Sequence, residues 1–216
     1  MTGKIIVPIE TRADMDALNA GKIDFVEFQR RQYVRTRNEL ESRLLEHRQK
    51  GEWKDFVKMA LSRYEVMPLA FSFYDEVPDS MKYKFCTEAY THHGDSIPAV
   101  RKAVRGALKY GKPILPKDMV RQEVITVYRA GEEPIEKAKY RISWTTDINT
   151  ALFFLNTYTH RHAEHLYTGK IKPDKIIAYT NDRKESEIMQ YGNVYDIQET
   201  HMEPAAGNNS NSTNIV

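Results

Sequence analysis

Residues 123–129 read Glu123-Val124-Ile125-Thr126-Val127-Tyr128-Arg129. The run is rich in β-branched residues and predicts a strand that ends on an arginine. It follows a break at Gly111, Pro113 and Pro116, and the composition changes across it. Before residues 111–122 the pattern is helical. After them β-branched and aromatic residues come in short runs. That change predicts an α+β chain: a helical N-terminal region over 1–120, a core of strands around one helix over 121–200, and a disordered tail over 203–216.

Working outward, Arg141–Trp144 predicts a short strand, and Thr146 or Asp147 a cap for a helix whose apolar body is Ile148, Ala151, Leu152 and Leu155. Further strands are predicted over 165–171, 175–180, 187–190 and 193–197. Upstream, the 24–50 segment has no Gly or Pro, and Val26, Tyr33, Leu40 and Leu44 recur at helical spacing. Gly51 reads as its stop. Helices are also predicted over 52–64, over 80–90, and from Ser96, with Pro98 in the first turn, to Tyr110.

Composition narrows the class. The chain has 216 residues, with 32 Lys+Arg against 30 Asp+Glu and a net charge of +2. This excludes a globally basic nucleic-acid coat and an acidic solvating tail. A single cysteine, Cys86, excludes an intrachain disulfide framework and a multi-cysteine zinc site. No apolar run reaches the length of a membrane span, and Met1–Arg12 lacks the basic stretch and long apolar core of a signal peptide, so the expectation is a cytoplasmic protein with no membrane partner.

Three short pieces carry the chemistry: Val127-Tyr128-Arg129; Ile142-Ser143-Trp144-Thr145-Thr146-Asp147; and Arg183-Lys184-Glu185-Ser186-Glu187-Ile188. Singly, they are a salt-bridging arginine, a strand-end hydroxyl and a solvated pair of acids. Their order and strand context resemble the mono-ADP-ribosyltransferases of the Arg–Ser–Glu class, including bacterial and phage toxins. The resemblance covers residues 123–198. It implies a split antiparallel sheet core and transfer of ADP-ribose from NAD, the co-substrate, with no metal. It implies Arg129 on the NAD diphosphate, Ser143 orienting the glutamate and the ribose, and Glu187 stabilising an oxocarbenium-like ribose. Glu185 would polarise the incoming nucleophile. On one strand, Glu185 and Glu187 would share a face and raise one another's pKa. Ser143, Trp144, Thr145 and Tyr179 join Arg129 as NAD-binding candidates. Of four aromatics that could stack on nicotinamide, Trp144 and Tyr179 rank above Phe153 and Phe154.

The polar run His160, Arg161, His162, Glu164 and His165 matches no zinc spacing and reads as a loop. Thr91-His92-His93-Gly94-Asp95 reads as a helix end. Two local basic patches remain. Residues 30–63 hold ten Lys/Arg and five acids, and residues 101–121 hold seven and one. These suit a nucleic-acid acceptor, with Tyr33, Trp53, Tyr64 and Tyr110 as stacking aromatics, or an acidic protein partner such as an antitoxin. The rival readings are an NAD glycohydrolase on the same core, a non-catalytic nucleic-acid-binding module, and an adaptor that uses the 24–50 helix.

Overall fold

The computed structural model describes residues 9–157 and 165–201. By its contacts the chain divides between Pro78 and Asp79 into two compact units. The composition shift at 111–122 therefore falls inside the second unit.

The first unit holds α1 (Ile9–Asn19), α2 (Phe25–Gln49), α3 (Trp53–Ser62) and α4 (Met67–Ser72). Asp24 caps α2 by accepting the Glu27 backbone N–H at 2.7 Å, which satisfies one of the orphan donors of the first turn. Gly51, at φ +69°, takes the left-handed turn that ends the helix. The face expected to be apolar is buried only in its second half. Leu40 and Leu44 are buried with Phe56, Ala60, Val66 and Met67, whereas Val26 is 72% exposed and Tyr33 51%. The reason lies in α1. Its buried Asp14 accepts from Arg35 at 2.7 Å and from Gln32 at 3.1 Å, so the first half of α2 turns a polar face inward.

The second unit begins with α5 (Asp79–His93), α6 (Pro98–Arg105) and α7 (Lys117–Val120). Pro98 opens α6, but the cap position is Ile97 rather than Ser96, and the helix stops at Arg105. The residues beyond it form a short 3-10 turn, Ala107–Lys109. Then come β1 (Ile125–Gly131), α8 (Ile135–Ala138), β2 (Ser143–Thr145), α9 (Ile148–Thr157), β3 (His165–Ile171), β4 (Ala178–Thr180), β5 (Glu187–Met189) and β6 (Tyr195–His201). Pro173–Lys175 is a turn, which shortens the strand expected from residue 175. The expected tail over 203–216, and His160, Arg161, His162 and Glu164, lie outside the described residues.

The six strands form one sheet of order β4-β5-β2-β1-β3-β6, and every pairing is antiparallel. The fold is therefore α+β. The halves β4-β5-β2 and β1-β3-β6 join where Tyr128 faces Thr145. Val127, Trp144, Tyr167, Ile171 and Ile188 form the centre of a core that also takes in Met119 and Ala138. Tyr83 of α5 donates to the Ile177 carbonyl at 2.9 Å, tying that helix to the strand edge. Gly111 passes so close to the Tyr83 ring that an added Cβ would lie 2.5 Å from it. Among the described residues, no helix is long and apolar enough to cross a membrane.

Candidate active site

β2 lies between β5 and β1, so its residues can meet side chains from both neighbours. Thr145 is opposite Glu187, which puts Ser143 on the diagonal within side-chain reach. The Ser143 hydroxyl donates to Glu187 Oε1 at 2.6 Å. On the other side, Arg129 Nη1 donates to the Ser143 carbonyl at 2.7 Å. The guanidinium thus satisfies a β2 carbonyl at the seam of the sheet, where a backbone group left unpaired would be costly. Arg129, Ser143 and Glu187, far apart in sequence, form one connected set.

Glu187 is 5% exposed. Burial pushes its carboxyl above the usual range. The Ser143 bond and the Arg183 charge oppose that shift, and the neighbouring Glu185 charge adds to it. The expectation that the two acids act on one another holds for Glu187.

The route by which they meet is different from the one expected. β5 starts at Glu187, and Glu185 lies in the preceding loop. Lys184 and Ser186 both have positive φ, 60° and 45°. This turn is held by its own bonds. Asn181 Oδ1 accepts the Ser186 N–H at 2.9 Å, and the Thr145 hydroxyl donates to the Glu185 carbonyl at 2.6 Å. The two carboxylates converge because Arg183 Nη2 lies 2.9 Å from Glu185 Oε2 and 3.3 Å from Glu187 Oε2. Strand alternation does not bring them together. Arg183 went unrecognised in the sequence as anything beyond loop charge.

Sequence reasoning also missed Glu133. This buried acid accepts from Arg129 Nε at 2.8 Å and has Arg141 Nε at 3.2 Å. Burial pulls its pKa upward, but the bonded Arg129 and the nearby Arg141 hold it below the usual carboxylate range. Tyr167, buried on β3, donates its hydroxyl to the Glu133 backbone carbonyl. Burial and the charges of Glu199 and Glu133 push that phenol up to about 12. Gly131 makes the arrangement possible: a Cβ there would lie 2.8 Å from Glu133 Oε2. The signal in the sequence was a glycine and then an acid just beyond the strand-end arginine.

The four aromatics fall in two places. Trp144 is 2% exposed, lies in the core, and donates its indole N–H to the Arg141 carbonyl at 3.2 Å. Strand alternation sends it to the side opposite Ser143, so it is not placed to stack on a ligand beside Glu187. Tyr179 is half-buried against the same core. Thr145 is buried and pins the loop through Glu185. Phe153 and Phe154 instead line a cavity of about 300 Å³ together with Asp147, Thr150, Arg183 and Glu185. That volume is at the small end of ligand sites. Asp147 caps α9, accepting the Asn149 N–H at 3.0 Å.

Other candidates resolve as local structure. His165 Nδ1 lies 2.9 Å from Glu199 Oε1 across the β3–β6 pair. Thr91, His92 and His93 close α5, and Gly94 follows at φ +55°. Cys86 is buried. Among the described residues, His47, Glu52 and Asp55 bring ligand-type atoms within 4.8 Å of one another in the first unit, with both acids exposed. Comparison with protein-family models, with curated proteins and with solved structures finds no match.

Proposed function

We propose that the chain is an NAD-dependent mono-ADP-ribosyltransferase that moves ADP-ribose to a macromolecular acceptor and releases nicotinamide. The observation that carries the reading is the 2.6 Å bond from Ser143 to the buried Glu187, with Arg129 fixed on the Ser143 carbonyl at 2.7 Å.

The donor set suits the co-substrate. A carboxylate with a hydroxyl beside it matches a ribose diol. Among the described residues, Arg129 Nε and Nη1 are committed to Glu133 and Ser143, which leaves Nη2 for a phosphate oxygen. Phe153 and Phe154 offer an apolar wall to a flat ring. NAD supplies a glycosidic bond whose leaving group, nicotinamide, departs neutral with the bonding pair. The ribose carbon becomes positively charged as that bond breaks. Glu187 in its ionised form stabilises the charge, strongly because water is largely excluded around it. Ser143 holds the carboxylate in place. Glu185 is the group that can take the proton from the acceptor as its oxygen or nitrogen bonds to the ribose carbon. Arg183 must leave one or both acids for that step. An acid limb follows from the raised Glu187 pKa: activity falls as the pH drops and the carboxylate takes up its proton.

The test is labelled NAD with purified protein and a cell extract, then nuclease or protease treatment. Label removed by nuclease assigns a nucleic-acid acceptor, and label removed by protease assigns a protein. Free ADP-ribose with nothing labelled would replace the transferase by a glycohydrolase. No nicotinamide above a Glu187→Gln control would remove both.

A further inference from the structure

The two basic stretches differ in the structure. Of the ten cations over 30–63, six are taken up in ion pairs: Arg30 and Arg31 with Glu27, Arg35 with Asp14, Arg37 with Glu41, Arg48 with Glu76, and Lys50 with Glu46. Over 101–121 none of the seven cations forms an ion pair among the described residues, and Lys102, Arg105, Lys109, Lys112, Lys117 and Arg121 are exposed. Apart from Arg105, which stacks on an aromatic ring, the exposed cations of this second stretch are left to solvent.

It adjoins an aromatic pair. The Arg105 guanidinium lies 3.9 Å from the centre of the Tyr191 ring. Tyr191 lies 5.7 Å from Tyr140, and Lys139 Nζ is 4.8 Å from the Tyr140 ring centre. Tyr140 is 47% exposed. The two turns that carry these rings are fastened by one fully buried amide. Gln190 Nε2 donates to the carbonyls of Lys139 at 2.9 Å and Arg141 at 2.6 Å, and its Oε1 accepts the Asn193 N–H at 2.9 Å. The Gly192 N–H adds a bond to the Lys139 carbonyl at 3.0 Å. A buried amide with these bonds on both ends holds the exposed Tyr140 and the half-buried Tyr191 in a fixed place, and ordering them on binding then costs little.

We infer that α6, the segment after it and the Tyr140–Tyr191 pair form a binding surface for single-stranded nucleic acid. The unpaired cations engage the phosphates and Tyr140 stacks on a base. Charge alone would suit an acidic protein equally. The fixed, exposed Tyr140, with Lys139 over its ring and a neighbouring ring that carries Arg105, favours nucleic acid, since every base has a face to stack. The inference does not depend on the transferase reading. Where both hold, this surface brings the acceptor.

Fluorescence anisotropy with a labelled oligouridylate and the full chain, in the absence of NAD, tests it across a salt series. Loss of ADP-ribosyl transfer would leave this readout unmoved. Lys102→Gln with Lys109→Gln and Lys112→Gln flattens the slope of log affinity against log salt by about two, from roughly 0.7 per phosphate contact. Tyr140→Leu weakens binding about tenfold and leaves the slope unchanged. The control set Arg43→Gln, Lys54→Gln and Lys58→Gln, in the other unit, changes neither. The inference is overturned if the wild type does not bind at low salt, or if the control set weakens binding as much as the first. It is also overturned if polyglutamate displaces the RNA as well as unlabelled oligouridylate does, which would assign the surface to an acidic protein.

Discussion

Ser143→Ala removes the hydroxyl that donates to Glu187 Oε1 at 2.6 Å. A hydrogen bond to a charged group contributes about 1.5–3 kcal/mol. Ser143 is only half-buried, so a water can enter in its place and the lower part of that range, about 1.5–2 kcal/mol, applies. In a chain of this size that is a fall of roughly 3–8 °C in Tm. The loss also carries a pH signature. Burial raises the Glu187 pKa in the folded protein, so the native state holds this proton more tightly than the unfolded chain. The contribution of Glu187 to stability is therefore greatest in acid and declines as the pH rises through the folded value. The serine bond favours the ionised form and softens that decline. Ser143→Ala should lose its full amount above the folded pKa and less below it, where the acid is neutral in both proteins. Urea titrations from acid to alkaline pH measure this directly. A deficit that is constant with pH, or under about 0.5 kcal/mol throughout, the range of an ordinary surface substitution, would refute the argument.

Arg183→Ala removes the cation that faces both acids; the Glu187 pKa should rise further, seen as a shift of the acid limb of NAD turnover to higher pH. Gly131→Ala places a methyl 2.8 Å from Glu133 Oε2, and the strain should cost about 1–3 kcal/mol in a thermal melt. Glu133→Gln breaks a buried carboxylate away from Arg129 and Arg141, at a cost of about 3 kcal/mol near neutral pH. The lowered folded pKa of Glu133 means that its stabilisation is present above the unfolded value and lost as the pH falls through the folded one, so the deficit of this variant should shrink in acid.

The strands were legible where the chain alternates and is bounded by turn residues. β3 falls on the expected 165–171, and α2 on the run between the Asp24 cap and Gly51. Periodicity located α2 but not what it faces. Val26 and Tyr33 share the spacing of Leu40 and Leu44, and only the polar α1, with its buried Asp14, explains why they are exposed. The same limit applies at the site. Motif order singled out Arg129, Ser143 and Glu187, and the sheet order then brings them together. It did not single out Glu133, which matters through its ion pairs with Arg129 and Arg141, with Gly131 leaving its carboxylate room. Nor could it show that Trp144 faces inward while Phe153 and Phe154 line the cavity, since a three-residue strand gives no periodicity to read. Glu185 and Glu187 looked like neighbours on one strand because the positive φ of Ser186 leaves no mark in a run of polar residues.

The most direct measurement is nicotinamide release from NAD by the purified chain, beside Glu187→Gln. That substitution keeps the shape of the side chain and removes its charge. If Glu187 stabilises the ribose cation, release should fall on the order of a hundredfold or more, with a cooperative melting transition retained. Equal release by both proteins, or none by the wild type with acceptor extract present, would contradict the account.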